Sequence, residues 1–80
     1  MTNNDYDKIK KDFNMKFKEY KKDFMKLTDL ALEMRYLSRK YLDNNKRLSN
    51  FYNNLFEKIN EYIVLNYSRE DLNYYFKKVS

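Results

Sequence analysis

Eighty residues make one small domain, close to the size at which a lone hydrophobic core only just suffices, so self-association is an expectation from the outset. No cysteine and no histidine is present, which excludes disulfides, thiolate zinc sites, histidine metal ligands and a histidine general base. Seventeen Lys and Arg against twelve Asp and Glu leave a formal charge of +5, an excess too modest to define a nucleic-acid-binding chain by itself.

The opening Met1-Thr2-Asn3-Asn4-Asp5 lacks the basic-then-apolar pattern of a signal peptide, and the longest uninterrupted apolar run is Tyr62 to Leu65. The expectation is an intracellular, cytoplasmic protein without a membrane span. The abundance of Lys, Asn, Tyr, Phe and Ile has the cast of an AT-rich genome, such as that of a low-GC bacterium, its phage or a plasmid, or of an AT-rich eukaryote or virus.

One register organises the chain. Every seventh residue from Tyr6 gives Phe13, Tyr20, Leu27, Met34, Tyr41, Leu48, Leu55 and Tyr62, with no polar interruption. The positions four residues after each are mixed, and include Phe17, Phe24, Ala31, Tyr52 and Ile59. Such 4-3 spacing forms one stripe on an α-helix and would scatter over both faces of a strand, so the chain is expected to be helical nearly throughout. A first helix is expected over about 4–42, started by Thr2 with Asp5, and carrying the i,i+4 pair Asp12 and Lys16. In its second half Leu30 and Leu37 widen the stripe, whereas Met25, Leu32 and Tyr36 fall at a separate angle beside Arg35 and Arg39.

Asp43-Asn44-Asn45 is a run of weak helix formers and is read as a turn, although Lys46 and Arg47 have the wrong sign for a helix start. A second helix over about 45–66 has a broad face of Leu48, Phe51, Tyr52, Leu55, Phe56, Ile59, Tyr62 and Ile63. Ser68 caps a third helix over about 69–78, with Asp71 at the third position and Tyr67 facing Leu72 as a staple. Its Leu72, Tyr75, Phe76 and Val79 recur at helical spacing and are expected to return over Phe13 to Phe24. The fold expectation is therefore all-α: a single domain over 1–80, a long helical hairpin plus a short C-terminal helix, monomeric or dimerised into a bundle. Were the turn absent, a continuous helix of roughly 90 Å would act as a structural coiled-coil rod.

Function is less legible. The i,i+4 carboxylate pairs Glu19/Asp23, Asp29/Glu33 and Glu57/Glu61 read as solvated faces, because a di-metal bundle pairs its acids with histidine. No catalytic or metal residue is assigned, no cofactor is expected, and the chain is read as a non-enzyme. Met25, Leu32, Arg35, Tyr36 and Arg39 form the candidate partner-binding surface, since an aromatic, a methionine and arginines on one helix are types enriched at interfaces. Arg35, Arg39, Lys40, Lys46 and Arg47 surround the turn with Asp43 alone among them, an alternative phosphate-contacting cluster with Tyr36 or Tyr41 beside it for stacking. The expected role is a small helical interaction module that occupies a larger protein or nucleoprotein complex, in the manner of a phage or mobile-element inhibitor or regulator.

Overall fold

The computed structural model describes residues 3–80, arranged as α1 (Asn3–Tyr20), α2 (Phe24–Lys40), α3 (Lys46–Asn66) and α4 (Arg69–Val79). Helices account for 86% of the structure and no strand occurs among the described residues, so the chain is all-α with one helix more than its spacing predicts. The Thr2 cap lies outside the described residues. The later boundaries follow their caps: the Leu48 N–H donates to Asn45 Oδ1 at 3.1 Å, and the Asp71 N–H donates to Ser68 Oγ at 3.2 Å. Asn45 satisfies an otherwise orphaned amide and outweighs the unfavourable charge of Lys46 and Arg47.

The single helix expected over 4–42 is two helices, and the reason lies in Asp23. Its backbone turns to the extended region (φ −120°, ψ 96°), and its carboxylate accepts the Lys26 N–H at 3.1 Å, capping α2. Breaking a helix strands carbonyls at the end of the preceding one. Here the Lys21 carbonyl is taken up by two tyrosine hydroxyls from the far end of the chain, Tyr67 at 2.8 Å and Tyr62 at 3.3 Å. Lys21 Nζ also sits 5.5 Å from the ring centres of Phe17 and Tyr62. The interruption is thus held by tertiary contacts that local spacing cannot announce. With breaks after Tyr20 and Lys40, the chain folds to 39 × 25 × 16 Å, far short of the 90 Å rod.

Both bends preserve the phase of the stripe. Tyr6, Phe13, Leu27, Met34, Leu48 and Leu55 are buried, and the three remaining members, Tyr20, Tyr41 and Tyr62, are half-buried. One hydrophobic cluster draws on all four helices, with Leu27, Ala31, Ile59, Ile63 and Tyr75 at its most deeply buried points. α2 packs most closely against α3 and also meets α1 and α4. α1 lies along the Leu30/Leu37 edge of α2, where Ile9 and Phe13 share a recess with Leu30, Met34, Leu37 and Tyr52. α4 lies along the opposite edge. Of the Phe13 to Phe24 stretch over which its spacing predicts a return, α4 meets Phe24, through Tyr74 at 6.0 Å between ring centres. Phe17 is covered by Tyr62 instead, at 5.4 Å and nearly perpendicular. The fold-back at Asp23 places α1 on one side of the hairpin, leaving the other side for α4.

Candidate interaction surface

The Asp23 cap sets where α2 begins, and helical phase then sets which of its residues point away from the hairpin. Met25 and Tyr36 do so, at 53% and 63% exposure, and Arg39 is exposed with them. From Met25 to Arg39 the ridge runs about 21 Å along the helix axis. Leu32 and Arg35 belong elsewhere. Leu32 is partly buried against the core. Arg35 is half-buried, its guanidinium 5.4 Å from the Phe56 ring centre, and its buried Nε has no hydrogen-bond partner among the described residues. The five-residue patch therefore divides into an outward ridge of Met25, Tyr36 and Arg39 and an inward pair, Leu32 on the core and Arg35 on Phe56 of α3.

Arg35 bears electrostatically on the buried Tyr75 of α4. Tyr75 is fully buried and its hydroxyl donates to Asn60 Oδ1. Burial raises the Tyr75 pKa above its ordinary value, the Glu57 carboxylate adds to the rise, and Arg35 opposes it. Tyr75 therefore stays a neutral donor.

The basic cluster also divides. Arg39, Lys40 and Lys46 are exposed around the Tyr41–Asn44 turn. Arg35 is withdrawn onto Phe56, and Arg47 lies over Tyr6, 4.8 Å from its ring centre, in a recess shared with Asp7. Tyr41, one of the two tyrosines expected to stack on bases, is half-buried and stacks on Tyr52 at 6.1 Å. Charge is spread rather than focused: no helix carries a net excess greater than two.

A third surface escaped the sequence reading. Val64, Leu65 and Phe76 are exposed along a groove between α3 and α4, with Leu65 at 81%, and Glu57, Glu61 and Asn60 line the same groove. Phe76 shares helical spacing with Leu72, Tyr75 and Val79, yet it sits at the edge of that face and is left outside. The signal was present in α3, where Val64 and Leu65 are apolar but fall off the broad buried face.

Asp12 and Lys16 pair as their spacing predicts, at 3.5 Å on the surface. The carboxylates at 19, 29, 33, 57 and 61 are exposed, and Asp23 serves as a cap. Among the described residues no group of three or more His, Cys, Asp or Glu is placed to hold a metal ion, and no helix is long and apolar enough to cross a membrane. Fold and surface together define a small all-α protein with an exposed Met-Tyr-Arg ridge. No family model matches the chain, and comparison with curated proteins and with solved structures returned no match.

Proposed function

We propose that this chain is a non-enzymatic protein-interaction module that works by occupying a surface of a larger macromolecule. The observation that carries the reading is the α2 ridge: a rigid helix holds Met25, Tyr36 and Arg39 in solvent in a chain small enough to need its apolar side chains inside. Tyr74 of α4, exposed and in ring contact with Phe24, extends aromatic surface beside it. Its compact, basic, AT-rich composition supports a phage- or mobile-element-encoded inhibitor or regulator acting on a host complex inside the cell. Capture from the native host, with and without nuclease, tests this. The expected result is a nuclease-resistant partner retained by the wild type and lost by the variant Met25→Ala/Tyr36→Ala. Equal capture by both would move the site off this ridge.

The second reading is phosphate contact by Arg39, Lys40 and Lys46, which remain together at the turn. It has less support, because Arg35, Lys40 and Arg47 each lie over an aromatic ring. Fluorescence anisotropy with labelled DNA and RNA at about 50 mM salt, where electrostatic attachment is strong, should show binding that neutralising Arg39 and Lys46 abolishes. No binding there would remove this reading.

A further inference from the structure

The α3–α4 groove is the chain's most exposed apolar feature, and its charge is of the wrong sign for a basic protein. Leu65, Val64 and Phe76 provide the apolar surface, while Glu57 and Glu61 stand on the same helix one turn apart. The complementary surface lies on the outside of α1. There Met15 is 64% exposed, with Lys8 and Lys11 beside it in a shallow apolar depression and Lys18 one turn further on. Asp12, the carboxylate in that depression, is already paired with Lys16, and Glu19 follows Met15 by one turn as Lys18 does. One face is therefore an apolar groove with acidic lips, and the other an apolar knob flanked by Lys8, Lys11 and Lys18.

We propose that the groove docks the outer face of α1 from a second copy of this chain. The spacings agree. Glu61 and Val64 are three residues apart on α3, as are Lys18 and Met15 on α1. An antiparallel approach sets Lys18 against Glu61 as Met15 enters beside Val64, Leu65 and Phe76. The two faces belong to different parts of the surface, so the contact is head-to-tail, and each copy keeps one groove and one knob for further neighbours. An 80-residue domain gains from such association what its own core cannot supply. The assignment does not depend on the α2 ridge, which lies on another helix.

Sedimentation velocity on the full chain over rising concentration tests it. At low salt the wild type should exceed the 10.1 kDa monomer mass and fall back towards it as salt is added. Glu57→Lys/Glu61→Lys and Lys11→Glu/Lys18→Glu alter exposed side chains and should each remain monomeric alone. Mixed in equal amounts they should associate again, because the intact groove of one meets the intact knob of the other and the two reversed faces are themselves opposite in charge. Leu65→Ser, checked by circular dichroism, removes the apolar contact without reversing charge and should also remain monomeric. A wild type that stays monomeric at millimolar concentration and low salt overturns the proposal. So does association that persists in all three variants, or a mixture of the charge-reversed pair that fails to combine.

Discussion

Ser38 and Ser49 each donate a hydroxyl to the other's backbone carbonyl, Ser49 Oγ to Ser38 O at 2.6 Å and Ser38 Oγ to Ser49 O at 3.0 Å. The pair bolts α2 to α3 just above the turn that joins them, and only side chains this small admit so close an approach. Each bond is worth about 0.5–1.5 kcal/mol net. Ser49→Ala should lower the free energy of unfolding in urea by about 1 kcal/mol, and Ser49→Leu, which overfills a buried site, by about 1–3 kcal/mol or more.

The break between α1 and α2 depends on its cap and on its borrowed hydroxyls. Asp23→Ala should cost about 0.5–2 kcal/mol. Tyr67→Phe, which keeps the ring on Phe24 but removes the donor to Lys21, should cost about 0.5–1.5 kcal/mol. By contrast Lys46→Pro places proline at the first position of α3, where no N–H is required, and should be nearly neutral, whereas proline inside a continuous helix would cost about 3 kcal/mol. Thermal melts of the three variants check the assignment of both breaks together.

Alkaline pH should destabilise the fold through its buried tyrosines. Tyr75 is raised by burial first and then by Glu57, Tyr52 by burial and then by Tyr41 and Glu33, and Tyr67 by burial and then by Tyr62, Asp23 and Asp71. Unfolded tyrosine ionises near pH 10, so above that the unfolded chain binds fewer protons than the native one and is favoured. The stabilisation is complete below about pH 10 and is lost as pH climbs towards the raised native values. Urea midpoints should hold from pH 8 to 9 and decline above about 10, and the decline should be shallower in Tyr75→Phe.

Two neighbours on α2 should respond differently to truncation. Leu32 packs against the core and Tyr36 stands in solvent. Leu32→Ala should cost about 2 kcal/mol, the lower end for a leucine truncation because burial is partial. Tyr36→Ala should change stability by no more than about 0.5 kcal/mol. Comparable losses in both would place Tyr36 in the core as well.

Where reading from sequence succeeded, it did so through period and caps. The seven-residue series from Tyr6 to Tyr62 reports burial in the first three helices, the weak helix formers Asp43-Asn44-Asn45 mark the turn before α3, and Ser68 marks the start of α4 by chemistry confined to three residues. Asp23 offered the same chemistry, but neither glycine nor proline accompanies it and the stripe keeps phase across it, so it read as one more acid on a helix face. What decides that break is Tyr62 and Tyr67, more than forty residues away. Ser38 is a polar interruption four residues after Met34, and a small residue announces close approach only once its opposite number is known. For the surface, helical phase placed Met25 and Tyr36 outside the stripe. It could not say that Leu32 would pack on the core and Arg35 on Phe56, since nothing local decides how the neighbouring helices cover that edge.

The way α1 is held has a consequence for local opening. Its links to α3 are contacts of rings and a guanidinium, Tyr6 on Phe51 at 5.1 Å, Phe17 on Tyr62, and Arg47 over Tyr6, and a recess remains beneath it against α2. α2 and α3 are joined instead by interlocked small side chains and the most deeply buried leucines and isoleucines. Units with fewer buried contacts open at lower free energy than the molecule as a whole. Amide hydrogens of α1 should therefore exchange with solvent deuterium ahead of those in the hairpin, so that the native protein passes transiently through a form in which Phe13 and Phe17 have left the core while Ser38 and Ser49 are still joined.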